Sequence, residues 1–363
     1  MAGGGTGGHL FPALALAEEL RTRVSGIEIT FAGAERGLEA RVVPEYGYEL
    51  KLFDIEGVKK RSIGAKLRAI LKASVATIKA VSFLRELRPD GVIGSGGYSS
   101  GPVLLAARLL GIKTAILEQN AVPGLTNRLL GKIVDRVYIA FKEAENFFPS
   151  AKVLRSGNPV RREIISSSKA ATRARGMRAS LSILVFGGSQ GATVINTAFL
   201  DATEYLTDIW PLLSVTHQSG KEGYKVTKDS YERKGLKVKV LEFIDDMAGA
   251  YAEADLVICR AGATTIAEIT ALGLPAVLVP YPFAADNHQE VNARTLEKGG
   301  AALMLRQDEI TGATLADIIK KFFSDRAELR RFSEVLKSFG RPEAGKVIVD
   351  DFLGLMKGSK KNV

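Results

Sequence analysis

Cysteine is almost absent from this chain: Cys259 stands alone among 363 residues. A lone thiol excludes a disulfide scaffold and points to a reducing compartment. Three histidines beside it leave little material for a structural zinc site. Aromatic residues make up only 7% and fall largely within apolar strands, which argues against basic patches interleaved with exposed aromatics and so against a nucleic-acid binder. Long apolar runs are missing too. None reaches the ~18–20 residues of a membrane span, and the longest candidate, LPAVLVPYPFAA, is broken by proline. The start carries no basic region followed by an apolar stretch, as a secretory signal would. We therefore expect a chain of cytosolic build.

What is present points to an anionic partner. The net charge is +10, which favours a nucleotide, a nucleic acid or an anionic membrane face. The length suggests two domains of ~150–200 residues each. Short β-branched runs alternate with helical patterns, as in a parallel α/β fold. The clearest strands are IEITFAG, DGVIGSGG, TAILEQ, RVYIA, LSILVFGG, LLSVTHQ, KVKVLEF, DLVICRAG, PAVLVPY and AALMLR. Six of the ten end in Gly or Gln, and ligands of open α/β sheets bind at the carboxyl ends of strands. The polar stretch Ser166–Ser180 separates two such series, which puts a boundary near Val160–Ile165. We expect two Rossmann-like, doubly wound domains facing each other across a cleft. Their spans would be 1–162 and 163–340, and a last helix within 341–363 could pack on either domain.

Three glycine-rich turns stand at strand ends: Gly3–Gly8, Gly94–Pro102 and Gly187–Ala192. Backbone amides at a helix N-terminus, with no side chain in the way, bind phosphate oxygens; glycine also simply makes tight turns, and one such loop alone would not decide. The first loop formally matches GxGxxG. A dinucleotide site also expects an acid at the end of the second strand, whereas in IEITFAGAERG the strand ends in Gly33-Ala34 and Glu35 comes late, so NAD is discounted. No NTPase phosphate loop is present. Strand Leu256–Cys259 leads into Ala263-Thr264-Thr265 and a helix closed by Gly273. There Glu268 lies one turn after Thr264, where a carboxylate could accept both ribose hydroxyls, or merely sit favourably near a helix start. Asp286–Asn292 forms a polar cluster suited to hydrogen-bonding a sugar.

In order along the chain, GGGTGGH, GSGGYSSGP, EQNAVPGLTN, GNPVR, GGSQGA, HQSGK, EFIDDM, CRAGATTIAE and DNHQ resemble the MurG family of N-acetylglucosaminyltransferases, of the two-domain B-type glycosyltransferase fold. The resemblance implies transfer of N-acetylglucosamine from UDP-N-acetylglucosamine (UDP-GlcNAc) to lipid I, giving lipid II in peptidoglycan synthesis. It implies no cofactor and no metal, an N-terminal acceptor and membrane-side domain, and a C-terminal domain for UDP-GlcNAc. The expected partners are the two substrates, an anionic membrane surface contacted peripherally on the cytoplasmic face, and cell-wall synthesis proteins; no nucleic acid is expected. By the same resemblance Thr6, Gly7 and Gly8 close over the donor and Asn120 reaches the sugar. Arg161 meets the pyrophosphate, Ser189 a phosphate oxygen, and the Ile244 backbone the uracil. Ala263, Thr264, Thr265, Ile266, Ala267 and Glu268 hold phosphate and ribose, and Gln289 the sugar hydroxyls. His288 stands where the family usually has glutamine. Such a reaction inverts the donor linkage and gains from a base near the attacking hydroxyl. His9 is the candidate, since a helix N-terminus disfavours the imidazolium; capping the loop or positioning the acceptor is the other reading. His217 reads as structural. Another UDP-sugar transferase or epimerase of the same fold is the alternative function.

Two further expectations concern the first domain. Between Val58 and Arg88, basic residues at 59, 60, 61, 66, 68, 72, 79, 85 and 88 accompany one acid, Glu86. Leu67, Ile70, Leu71, Ser74, Val75, Ile78 and Val81 trace a helical stripe. Such a segment can lie on an anionic bilayer or face the domain's own sheet. The opening loop also arrives after only Met1 and Ala2, so the strand expected before it is missing, and we expect the natural start to lie upstream.

Overall fold

The computed structural model describes residues 1–35, 37–54, 63–167 and 180–360, with the backbone alone at 63–70 and 358–360. The chain forms two compact units: Met1–Arg161 together with Arg341–Val363, and Arg162–Gly340.

The first unit holds one sheet of seven parallel strands: β1 (Ala2–Gly3), β2 (Thr30–Ala34), β3 (Glu49–Phe53), β4 (Gly91–Gly96), β5 (Lys113–Glu118), β6 (Arg136–Ile139) and β7 (Val153–Arg155). Their order is β3-β2-β1-β4-β5-β6-β7. The second unit repeats the plan with six parallel strands: β8 (Leu181–Phe186), β9 (Leu213–Gln218), β10 (Lys239–Leu241), β11 (Leu256–Cys259), β12 (Ala276–Leu278) and β13 (Leu303–Met304), ordered β10-β9-β8-β11-β12-β13. Central strands such as β8 and β11 are buried throughout, as helices on both faces of a parallel sheet require.

Strand order reverses between β1 and β4, and again between β8 and β11. Such switch points are where open α/β sheets bind ligands. The glycine loops found in the sequence follow β1, β4 and β8, and the Arg260–Gly262 turn follows β11, so two of these turns open at each switch point.

The strand that the sequence pattern lacked is present in the fold. Ala2–Gly3 lies between β2 and β4, with Ala2 opposite Ala32 and Gly94. The Met1 ammonium donates to the Thr30 carbonyl at 2.8 Å, and the Met1 carbonyl accepts from Ala32 N–H at 2.8 Å. Two residues are too few to show a period, so the sequence pattern could not register this strand.

Helix Ala344–Lys360 belongs to the first unit. Its Ile348, Val349 and Phe352 are buried against Leu16 and Leu20 of helix Gly7–Arg23 and against Ile93 and Tyr138 of the sheet. Asp351 accepts from the Tyr138 hydroxyl at 2.9 Å and pairs with Arg136 at 2.8 Å, while Asp350 pairs with Arg23 at 2.6 Å. The core of the second unit lies between β8, β9, β11 and the helices Thr193–Ala202, Gly312–Ser324 and Arg326–Phe339.

The amphipathic segment becomes helix Ile63–Leu87. Among the described stripe residues, Leu71, Val75 and Ile78 are 63%, 52% and 71% exposed, whereas Val81 packs against the core with Ala80 and Leu84, and Ala76 is buried too. Ala76 and Ala80 let the helix lie close to helix Ser100–Leu109, while Leu71, Val75 and Ile78 point away from it. Residues 59–61, the side chains of Lys66, Leu67, Arg68 and Ile70, and residues 168–179 of the polar stretch between the two series lie outside the described residues.

Candidate active site

The first switch point is built around two buried side chains that the sequence did not single out. Glu39, at the start of helix Glu39–Glu45, is fully buried. Its carboxylate accepts from Gly5 N–H at 2.7 Å and from Ala34 N–H at 2.8 Å, joining the first glycine loop to the end of β2. An anion of the protein's own thus takes the Gly5 amide, which is therefore not open to a phosphate oxygen. Thr6 precedes helix Gly7–Arg23 without capping it by its side chain, and its carbonyl accepts from His9 and Leu10 N–H. Thr6 and Gly8 are exposed, while Gly7 and His9 are half-buried.

Gln119 is the second. It is buried at the end of β5, and its Nε2 donates to the Ser95 carbonyl at 2.8 Å. His9 Nδ1 reaches the same carbonyl at 2.9 Å and Gln119 Oε1 at 3.3 Å. Gly96, at φ +98°, makes this approach possible, because a Cβ there would stand 2.7 Å from His9 Nδ1. On either side of Gln119, Glu118 and Asn120 form a pair. The Glu118 carboxylate accepts from Asn120 N–H at 3.0 Å and Asn127 Nδ2 at 2.8 Å. Burial nonetheless pushes the carboxyl of Glu118 up to about 7, against the pull of those donors. Arg161 lies over the Phe11 ring at 4.7 Å, which brings the GNPVR segment onto the first helix.

In the second unit the predicted residues all follow carboxyl ends of strands in one sheet. The exposed Ser189 lies in the loop after β8, ahead of helix Thr193–Ala202, and no side chain caps that helix. The loop interlocks with its neighbour: Gln218 Nε2 donates to the Gly188 carbonyl at 2.7 Å, and Asn196 Nδ2 to the Ser219 carbonyl at 2.9 Å. After β10, the Ile244 side chain is buried among the exposed Phe243 and Asp245. Helix Ala263–Leu272 also starts without a side-chain cap and ends at Gly273 in the left-handed region, φ +57°. Its first-turn amides are oriented as an anion site requires. Thr264, Thr265 and Ala267 are half-buried; Ala263, Ile266 and Glu268 are buried. Glu268 accepts from the Tyr251 hydroxyl at 2.9 Å, which fixes the carboxylate on the helix flank.

The cluster after β12 is more self-paired than its composition suggested. Gln289 Oε1 accepts from Tyr281 N–H at 3.0 Å, Asn287 Nδ2 donates to Glu290 at 2.6 Å, and Asn292 turns inward to the Ala261 carbonyl at 3.4 Å. His288 Nδ1 lies 2.7 Å from the Ala285 carbonyl. Arg260, unremarked in the sequence, braces this loop by donating to the Pro280 carbonyl at 3.0 Å and Gln307 at 2.9 Å. Among the described residues, no group of three or more His, Cys, Asp or Glu side chains is arranged to hold a metal ion. Long-range partners such as Glu39, Gln119 and Arg260 carry no local signal; of these only Gln119, inside the EQN motif, stood next to a residue already chosen.

Comparison with known proteins agrees with this architecture. The model of the glycosyltransferase family 28 N-terminal domain matches residues 1–139, and that of the family 28 C-terminal domain matches residues 182–346. A UDP-N-acetylglucosamine--N-acetylmuramyl-(pentapeptide) pyrophosphoryl-undecaprenol N-acetylglucosamine transferase of Myxococcus xanthus is 47% identical over 98% of this chain and 92% of its own. The crystal structure of Acinetobacter baumannii MurG superposes with a TM-score of 0.78 at 36% identity, covering 97% of this chain and 98% of that one. A UDP-GlcNAc 2-epimerase from Neisseria meningitidis shares the fold at 15% identity, with a TM-score of 0.68 over 97% of this chain and 98% of its own. The chain belongs to the MurG family of N-acetylglucosamine transferases, within glycosyltransferase family 28.

Proposed function

We propose that this protein transfers N-acetylglucosamine from UDP-GlcNAc to the MurNAc 4-hydroxyl of lipid I, forming lipid II. The observation that carries the reading is the near full-length identity to transferases named for this reaction, joined to the uncapped helix starts that follow β8 and β11. The second unit takes the donor: amides at the starts of helices Thr193–Ala202 and Ala263–Leu272, with Ser189, meet the diphosphate. Glu268 accepts from the ribose hydroxyls, the Ile244 backbone meets the uracil, and Gln289 meets the sugar. In the first unit, the family resemblance assigns Thr6, Gly7, Gly8 and Asn120 to the sugar and Arg161 to the pyrophosphate.

The 4-oxygen attacks C1 of the sugar in line with the departing phosphate oxygen. The new C1–O4 bond forms as the C1–phosphate oxygen bond breaks, and UDP leaves with the electron pair. The hydroxyl proton passes to His9 Nε2. Fixed amides and Arg161 stabilise the charge growing on UDP without reorganising, and such preset dipoles do most of the barrier lowering in many enzymes. The exposed Leu71, Val75 and Ile78, beside the exposed Lys79 and Arg85, would rest on the cytoplasmic face of an anionic membrane, where the lipid-linked acceptor resides. No helix among the described residues is long and apolar enough to cross a membrane.

The test is transfer of labelled N-acetylglucosamine from UDP-GlcNAc to a lipid I analogue. Pure folded protein is expected to transfer the label, and Glu268→Ala to raise KM for the donor by about tenfold or more, as loss of a charged hydrogen bond implies. Absence of transfer by the folded full-length chain would overturn the assignment.

A further inference from the structure

We propose that Gln119, with the Ser95 carbonyl, is a positioning residue that holds His9 in the Nδ1–H tautomer and gives it a neutral partner. The proposal rests on the reading of His9 as the base and states how the fold prepares that base.

The hydrogen-bond logic leaves one arrangement. A carbonyl oxygen can only accept, so the 2.9 Å contact between His9 Nδ1 and Ser95 O requires a proton on Nδ1. The same oxygen accepts from Gln119 at 2.8 Å, which fixes the amide with Nε2 towards Ser95 and Oε1 towards the imidazole. The Nδ1 proton is thereby shared between two acceptors, at 2.9 and 3.3 Å. The neutral ring then keeps its lone pair on Nε2, the nitrogen that must accept the hydroxyl proton. Ser95 and Gln119 are each buried, so water does not compete for these bonds.

The partner's neutrality matters as much as its geometry. A carboxylate at this position would stabilise the imidazolium, raise its pKa and leave less free base at neutral pH. The charged groups around this corner are engaged elsewhere. Glu118, next to Gln119, accepts from Asn120 and Asn127; Glu39 accepts from Gly5 and Ala34; Arg161 lies over Phe11. Asp350 and Asp351 of helix Ala344–Lys360 lie away from this corner, on Arg23 at the far end of the first helix and Arg136 at the start of β6.

The experiment is a titration of the full-length protein with its three histidines labelled with 15N, paired with the pH profile of kcat/KM for labelled transfer. Ring-nitrogen shifts report tautomer and titration directly, and His217 and His288 serve as internal references. The wild type is expected to show His9 as the Nδ1–H tautomer. Gln119→Glu is expected to raise the His9 titration by about one pH unit or more and to move the acid limb of the profile with it. Gln119→Leu is expected to lower kcat about tenfold or more, within the range general base catalysis supplies, while leaving KM for UDP-GlcNAc unchanged. An Nε2–H tautomer in the wild type would overturn the proposal without need of any variant, as would an unmoved His9 titration in folded Gln119→Glu. His9→Ala with wild-type kcat refutes the base reading instead, and leaves the tautomer result standing or falling by itself.

Discussion

His217 sits in the second unit with no solvent on any side, and each nitrogen of its ring has one partner. Asn196 Nδ2 donates to the Ser219 carbonyl, so Asn196 Oδ1 faces His217 Nε2, at 3.1 Å, and that nitrogen must carry the proton. Nδ1 then accepts from the Tyr231 hydroxyl at 2.8 Å. The chain of bonds links helix Tyr224–Arg233, strand β9, helix Thr193–Ala202 and the loop that abuts the Ser189 turn. Burial lowers the His217 pKa to about 4. The folded state thus refuses a proton that the unfolded chain accepts below about 6.5. Stability from the neutral ring is complete above that pH and falls progressively down to about pH 4, by roughly 3 kcal/mol at 1.36 kcal/mol per unit. Replacing His217 with Gln is expected to destabilise the second unit at pH 7 and to flatten its pH dependence between 6.5 and 4. Denaturant unfolding followed at both pH values checks this; an equally steep dependence in the variant would assign it to other groups.

At the scale of elements, Glu39 does for the first switch point what a bound anion would do elsewhere. Glu39→Ala strips acceptors from the Gly5 and Ala34 amides together. A hydrogen bond to a charged group contributes about 1.5–3 kcal/mol; because Gly5 is exposed and Ala34 half-buried, the first unit is expected to lose roughly 1–3 kcal/mol in thermal or denaturant unfolding. A loss below about 1 kcal/mol would show that water replaces the carboxylate. Strands, too, show what a sequence reveals and what it hides. The ten apolar runs read from the sequence all contain strands, because each has at least one covered face. The two missed beside β1 are β3 and β7, the edges of the first sheet. ELKLF alternates charge with apolar residues and is largely exposed, and VLR is too short to show a period. Edges bury less and so leave a weaker apolar signature. The candidate site divides along similar lines. Loops and helix starts are local and were legible as motifs. Glu39 meets Gly5 across 34 positions and His9 meets Gln119 across 110, and only folding brings these pairs together.

For the whole molecule, the charge of +10 and the outward stripe of helix Ile63–Leu87 point the same way. Each basic residue near an anionic surface adds about 1 kcal/mol of attraction, and apolar side chains can bury among acyl chains where charges cannot. Changing Leu71, Val75 and Ile78 together to Ser is expected to cut co-sedimentation with anionic vesicles several-fold while leaving the thermal midpoint within about 1 °C, because exposed positions contribute little to folding. Unchanged sedimentation at low salt would remove the stripe from the membrane contact.

The helix Ala344–Lys360 has a consequence in time as well as in space. Ile348, Val349 and Phe352 complete a core whose other members, Leu16, Leu20 and Ile93, are synthesised at the beginning. Between them on the chain lies the whole second unit. A ribosome therefore delivers the whole second unit before it delivers the residues that seal the first, and during that interval Leu16, Leu20 and Ile93 must wait uncovered. The first unit to emerge is the last to close, and its nascent form is the one most in need of a chaperone.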